Sequence, residues 1–297
     1  MYRQKTTLEQ WRILQAVVDY GGYTHAAKKL NKSQSSLNHA VAKLQNQLGI
    51  QLLEVKGRKA LLTKAGEVML RRSRLLNQSA QELEELANNI NQGWEPEICI
   101  AADIAFPRKV LLPILTEFHP LCRGSRVVIL DTVLSGTEDA IIDGIADIAL
   151  SSTVPRGYLN EPLLDVDFVA VTHASHELTH LPTPLDPQEL LRQVQIVIRD
   201  NGKNAFEKRG WLRSEQRWTV SQFQTAIDML LSGVGFCWLP SNIVKKYLDT
   251  GDLVQLEMKG SSFRRTTMSL INPKMESMGP GTQLLTEMFL AARQVSQ

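Results

Sequence analysis

The sequence predicts an α/β protein in three parts: an N-terminal winged helix-turn-helix, a long linker helix and a two-lobed α/β body. Three observations carry this. First, charge is split along the chain. Residues 1–74 hold 14 Lys/Arg and 4 Asp/Glu, a net of +10, whereas residues 75–297 hold 19 and 27, a net of −8. Second, Ala26 to Asn38 (Ala-Ala-Lys-Lys-Leu-Asn-Lys-Ser-Gln-Ser-Ser-Leu-Asn) reads as a helix end, a tight turn and the start of a second helix with a polar face. Third, beyond residue 97 short apolar runs alternate with helical patterns, the order that builds a parallel sheet with crossover helices. The expected boundaries are 1–63, 64–93 and 94–297. Within the body, one lobe takes about 94–163 and 266–297 and the other about 164–265.

The overall composition is ordinary: 297 residues, 43% hydrophobic, 22% charged and a net charge of +2. A clustered positive head on an acidic body suits a polyanionic partner, because phosphate neutralisation supplies much of DNA affinity. No segment approaches the ~20 apolar residues that span a bilayer, which predicts no membrane association. Met1 to Thr7 lacks an apolar signal core, so a cytoplasmic setting is expected. Cys99, Cys122 and Cys237 are odd in number and far apart, which argues against a disulfide framework or a CxxC site.

In the head, Thr7-Leu8-Glu9-Gln10 fits a capping box, followed by Leu8, Trp11, Leu14 and Val18 at helical spacing. Gly21-Gly22 breaks that helix. Thr24 is expected to cap the next one, with Ala26, Ala27 and Leu30 facing inward; the small Ala side chains let the two helices of the motif approach closely. Asn31 stands at the turn, where Asn tolerates the left-handed conformation. Ser33 is the expected N-cap of the third helix, whose buried stripe is Leu37, Val41, Leu44 and Leu48. Its other face presents Gln34, Ser35, Ser36, Asn38, His39 and Lys43. Ser, Asn and Gln can read base edges, and Lys and helix N-terminal amides suit phosphate. After Gly49, two short apolar runs flank Lys56-Gly57-Arg58-Lys59. This predicts a β-hairpin wing whose Lys56, Arg58 and Lys59 lie along backbone or minor groove.

Tyr23-Thr24-His25-Ala26-Ala27-Lys28-Lys29-Leu30-Asn31-Lys32-Ser33-Gln34-Ser35-Ser36-Leu37 resembles the N-terminal signature of the LysR-type transcriptional regulators. The wing exit, Gly57-Arg58 followed by Leu62-Thr63-Lys64-Ala65-Gly66-Glu67, is similar too, as is the total length. Asn38, Gln45 and Leu53-Glu54-Val55 depart from the family's usual Ser, Glu and Phe-Glu-Arg, which bears on base contacts rather than on class. The resemblance implies a regulator that reads double-stranded promoter DNA, dimerises through its linker helix and pairs dimers into a homotetramer. It also implies a body like the periplasmic binding proteins, with a small-molecule effector held between its lobes.

From Lys64 to about Gln92 there is no Pro. Met69, Leu76, Leu83 and Ile90 recur every seven residues, with Ala80 and Ala87 at the complementary positions. That 3-4 spacing marks a coiled-coil seam; the alternative is an amphipathic helix packed on its own domain. Gly93-Trp94-Glu95-Pro96 ends it.

In the body, strands are expected at 98–101, 127–130, 147–150, 168–171, 196–198, 235–239 and 267–272. Helices are expected from Pro107, from a capping box at Ser135-Gly136-Thr137-Glu138, from Asp186-Pro187, and over 221–232. Ligands in such sheets sit beyond the carboxyl ends of strands, near helix N-termini. That rule selects Asp103, Ser135, Ser152 and Asp200, with Phe223 as an apolar wall. A carboxylate at Asp103 favours a neutral, cationic or hydrogen-bond-donating ligand, although Asp103 could instead pair with Arg108 or Lys109.

Catalytic signatures are missing. The sequence has no HExxH, P-loop, GxSxG or metal-spaced Cys/His cluster, so neither an enzyme nor a metal or cofactor site is expected. His173, His176 and His180 fall in a Pro-rich loop stretch. Cys122, beside Arg123, lacks a resolving thiol nearby in sequence. An enzyme carrying a DNA-binding head would need a Gly-rich nucleotide loop. A body that only assembles, without an effector, remains the other alternative.

Overall fold

The computed structural model describes residues 3–56, 59–203, 213–260 and 262–295, which form two compact units, residues 1–91 and 92–297.

The first unit contains α1 (Leu8–Asp19), α2 (Tyr23–Leu30), α3 (Gln34–Leu48), β1 (Leu53–Lys56), β2 (Lys59–Leu62) and α4 (Lys64–Asn91). The Thr7–Gln10 capping box forms, with Gln10 N–H donating to Thr7 Oγ1 and Thr7 N–H to Gln10 Oε1. Asn31 ends α2 in the left-handed conformation at φ 52°, and Ser33 Oγ accepts from Ser36 N–H at the start of α3. Thr24 is not the cap of α2: the helix begins one residue earlier behind Gly22, and the Thr24 hydroxyl donates to Gln34 Oε1 at 3.2 Å. Trp11, Leu14, Ala26, Leu37 and Leu44 are buried together. β1 and β2 pair antiparallel, Lys56 opposite Lys59. The first half of α4 packs on α1: Leu70 and Ser73 are buried, Asn77 Nδ2 donates to Gln15 Oε1 at 3.1 Å, and Arg74 pairs with Asp19.

The second unit contains β3 (Glu97–Asp103), α5 (Arg108–Phe118), β4 (Arg126–Thr132), α6 (Ser135–Ile142), β5 (Ile148–Ser151), β6 (Glu161–His173), α7 (Pro187–Leu191), β7 (Gln195–Ile198), β8 (Arg217–Val220), α8 (Phe223–Leu231), β9 (Phe236–Pro240), α9 (Ser241–Thr250), β10 (Leu253–Gln255), β11 (Phe263–Ile271) and α10 (Pro280–Val295). The described strands make one mixed sheet in the order β4-β3-β5-β11-β6-β9-β7-β8, with β10 on β6. β3 is parallel to β4 and β5, and β7 to β8 and β9. Between these parallel groups run the long antiparallel β6 and β11, through which the chain passes from one lobe to the other and back. Each lobe has its own apolar core, around Ile100, Leu111 and Phe289 in one and Val171, Ile227 and Leu239 in the other.

The expected capping box at Ser135 does not form. Leu134 is the N-cap of α6, without a side-chain hydrogen bond, and the Ser135 hydroxyl is committed elsewhere. Asp186 does cap α7, accepting from Gln188 N–H.

Candidate nucleic-acid interface and ligand cleft

The first turns of α3 form a contiguous polar surface. Ser33, Gln34, Ser35, Ser36, Asn38, His39 and Lys43 are all exposed, while Leu37, Val41 and Leu44 on the opposite side are buried. The 3.6-residue period is what separates the two sets. Ser33 Oγ and Ser35 Oγ share a hydrogen bond of 3.0 Å, and exposed Thr24 stands beside Gln34. Thr24 therefore joins α2 to the same surface. Gly57 and Arg58, and the side chains of Lys56 and Lys59, lie outside the described residues. Gln45 was not foreseen as a positioning residue: its Oε1 accepts from Leu52 N–H (2.7 Å) and Leu53 N–H (3.0 Å), tying α3 to the strand that starts the wing.

On α4, Leu76, Leu83 and Ile90 are 54%, 68% and 45% exposed, although each is a large apolar side chain. Met69, the first of the series, is half-buried in the head.

In the body, a cavity of about 270 Å³ lies at the carboxyl ends of β3 and β7. Asp103, Leu134, Phe168, Phe223, Trp238 and Arg264 are among its walls. Asp103 is 3% exposed. Its Oδ1 accepts from Ala105 N–H at 2.8 Å and its Oδ2 from Leu134 N–H at 3.1 Å. Burial pushes its carboxyl up from the usual 3.8 to about 6; the two amides pull the other way and Asp200 adds to the rise. Neither expected ion pair forms, since Arg108 pairs with Asp131. The Arg264 guanidinium stacks on Trp238, 4.6 Å from the ring centroid; burial and the neighbouring Arg213 lower its pKa.

Of the residues selected from sequence, Asp103 and Phe223 line this cavity. Ser135 and Asp200 meet each other instead: the Ser135 hydroxyl donates to both Asp200 oxygens, at 2.7 and 2.8 Å. Asn201 Oδ1 accepts from Val133 N–H at 2.8 Å, and Lys203 pairs with Asp143 at 2.6 Å. The Asp200–Lys203 loop thus lies along α6, from Ser135 at its start to Asp143 at its end. Ser152 follows β5, half-buried and away from those walls. Phe168, Trp238 and Arg264 escaped sequence reading because β6, β9 and β11 bring them together only through antiparallel pairing of distant segments.

Among the described residues, no group of three His, Cys, Asp or Glu is placed to hold a metal, and no helix is long and apolar enough to cross a membrane. His173 shares a hydrogen bond with Ser175, and His176 caps a short 3-10 turn. The Cys237 thiol is buried and pushed up.

Comparison with known proteins covers both units. Residues 8–67 match the bacterial regulatory helix-turn-helix protein, lysR family, and residues 91–294 match the LysR substrate binding domain. The chain is 31% identical over 262 residues to the uncharacterized HTH-type transcriptional regulator YeeY of Escherichia coli (strain K12), covering 84% of this chain and 83% of that protein. It is 25% identical to the probable HTH-type transcriptional regulator YhaJ of the same organism, covering 83% and 84%. Among solved structures, full-length LysG from Corynebacterium glutamicum has the same fold (TM-score 0.54, 16% identity, 98% of both chains). So does CrgA, a LysR-type transcriptional regulator from Neisseria meningitidis (TM-score 0.51, 19% identity, 98% of this chain and 100% of that one). With one family match over the head and the other over residues 91–294, more than half of the sequence, the chain belongs to the LysR-type transcriptional regulators, which bind DNA through the first domain and a small-molecule effector through the second.

Proposed function

We propose that this regulator reads its operator with the first turns of α3. Gln34, Ser35, Asn38 and His39 face base edges; Thr24, Ser33, Ser36 and Lys43, with Lys56, Arg58 and Lys59 of the wing, hold the phosphate backbone. Two chains pair through the Leu76, Leu83 and Ile90 face of α4, presenting two heads to half-sites about one helical turn apart, and dimers pair into tetramers. A small molecule in the cavity, touching Asp103 and Phe223, biases the lobes between two arrangements through the clasp of Ser135 and Asp200. A ligand shifts such an equilibrium only by its differential affinity for the two states. The protein acts in the cytoplasm and catalyses no reaction.

The observation that carries this reading is the α3 surface: seven adjacent polar side chains, all exposed, on a helix whose other side is the head's core. Footprinting the purified protein on the DNA upstream of its own gene, at physiological salt, tests it. A protected stretch with a dyad and half-sites in register supports operator binding by a paired regulator. Only salt-sensitive binding to any DNA, with no protected dyad, counts against it.

A further inference from the structure

We infer that the cavity takes a small elongated molecule carrying a cationic or hydrogen-bond-donating group at one end and an anionic group at the other, joined by an apolar spacer. This rests on the reading of the cavity as the effector site. Size comes first: a water occupies ~30 Å³ of liquid, so a cavity of about 270 Å³ holds a molecule of roughly ten non-hydrogen atoms.

The two ends of the cavity differ in charge. At one end is Asp103, a buried carboxylate whose two oxygens accept only backbone N–H groups among the described residues, while Arg108, five positions on, is engaged with Asp131. It has acceptor capacity left and, among the described residues, no ion-paired cation, so an ammonium or N–H donor from a ligand suits it as partner.

At the other end is Arg264, half-buried against Trp238, with Arg213 close enough to lower its pKa. Among the described residues no carboxylate forms an ion pair with it. The Trp238 Nε1–H is buried with no hydrogen-bond partner there either. A guanidinium without a carboxylate partner among the described residues and an unpartnered indole donor together call for an anion.

Register places these ends apart. Ala102 of β3 is level with Leu150 of β5, which is level with Leu270 of β11, so Asp103 is level with Ser269. Arg264 lies five residues farther along β11, about 17 Å of strand at ~3.4 Å per residue. The Asp and Arg side chains shorten that gap, but the two charges belong to opposite ends of a ligand. Between them stand Leu134, Phe168 and Phe223, which want an apolar body.

Two matched sets of probes test this on the full-length protein by thermal melting and titration calorimetry at pH 7.5: 6-aminohexanoate, hexanoate and hexylamine; and 4-(aminomethyl)benzoate, 4-methylbenzoate and 4-methylbenzylamine. At least one amino acid of the pair is expected to raise the melting temperature, with its monoacid and monoamine binding about ten- to hundredfold more weakly. Arg264→Gln is expected to erase the advantage of the amino acid over the monoamine. A monoacid that binds as well as its amino acid removes the role given to Asp103. A monoamine that does so, or an Arg264→Gln protein that binds undiminished, removes the role of Arg264. Either result overturns the proposed ligand class and leaves the cavity an effector site. If none of the six raises the melting temperature, the class is wrong, and the effector reading then rests on whether operator footprints respond to other small molecules.

Discussion

Ser135 at the start of α6 and Asp200 beyond β7 are 65 positions apart in sequence, yet the Ser135 hydroxyl donates to both oxygens of the Asp200 carboxylate. The contact closes one lobe on the other, and two glycines make room for it. A Cβ at Gly136 would lie 1.8 Å from Asn201 Oδ1, and one at Gly202 would lie 2.2 Å from Ser135 Oγ. Gly136→Ala is therefore expected to push the Asp200–Lys203 loop off α6, lowering stability in urea by about 1–3 kcal/mol. Unchanged stability and unchanged proteolysis of the loop would show that the clasp does not hold the lobes.

Asp103 gives a pH dependence of unusual sign. Its carboxyl is raised to about 6 in the folded protein, against ~3.9 in an unfolded chain. Between those values the folded state holds a proton that the unfolded state has released. Stability from this group therefore rises as pH falls from about 7 to about 4, by about 3 kcal/mol in all. The opposite trend belongs to carboxylates such as Glu95, whose pKa is lowered despite burial by hydrogen bonds from Thr282 and Gly281. Comparing wild type with Asp103→Asn in urea across pH 4–8 isolates the Asp103 contribution. The wild type is expected to gain on the variant as pH falls, and a gap that stays constant with pH would contradict the assignment.

On DNA, Gln34→Ala removes one exposed amide from the first turn of α3, together with its contact to Thr24. The expected cost is about 1–3 kcal/mol of discrimination at a single base pair, with binding to unrelated DNA unchanged. Arg58→Ala, between Lys56 and Lys59 in the basic run, is expected instead to weaken all DNA alike and reduce the salt slope by about one. Binding curves on operator and scrambled duplexes at several salt concentrations separate the two. Equal effects on both duplexes from Gln34→Ala would remove it from base readout.

The exposed face of α4 predicts a change of assembly. Leu83 is 68% exposed, so Leu83→Glu should leave the fold of a single chain intact while placing a charge in the proposed seam. Sedimentation velocity is expected to show a loss of the dimer, and footprints should contract to one half-site. A variant that still sediments with the wild type would place the dimer contact elsewhere.

The head was legible in the sequence because its signals are local. Thr7 with Gln10, Asn31 in the left-handed turn, Ser33 as N-cap and Gly49 as C-cap act within a few residues of where they stand. Thr24 misled for the same reason: a residue type that suits a cap was two positions beyond the Gly22 that served as one. In the body the parallel strands β3, β4, β5, β7 and β9 were readable as apolar runs, but the mostly exposed β8 was not, and the crossing was foreseen without the full length or pairing of β6 and β11. Asp165–Asp167 of β6 and Arg265–Thr267 of β11, rich in charged and polar side chains, pair with each other across about 100 residues. The cavity inherits that limit. Asp103 and Phe223 follow from the rule about strand ends, but Arg264 and Trp238 become neighbours only once β11 and β9 both lie on β6.

Gln45 supplies a stability test that also reaches the wing. One side-chain oxygen accepts from two consecutive backbone N–H groups, Leu52 and Leu53, where the chain leaves α3 for β1. Both residues are buried, Leu52 completely, so no solvent replaces a lost acceptor. Gln45→Leu fits the space but leaves both amides unpaired, each at a cost of about 1–3 kcal/mol. Gln45→Glu keeps the acceptor and strengthens it with charge. The leucine variant is expected to lose about 2–5 kcal/mol in urea unfolding and to weaken DNA binding by loosening the wing. The glutamate variant should match or exceed wild-type stability. Equal stability of all three proteins would mean that water or backbone rearrangement satisfies those amides, and the wing would then be positioned by its hairpin and core contacts alone.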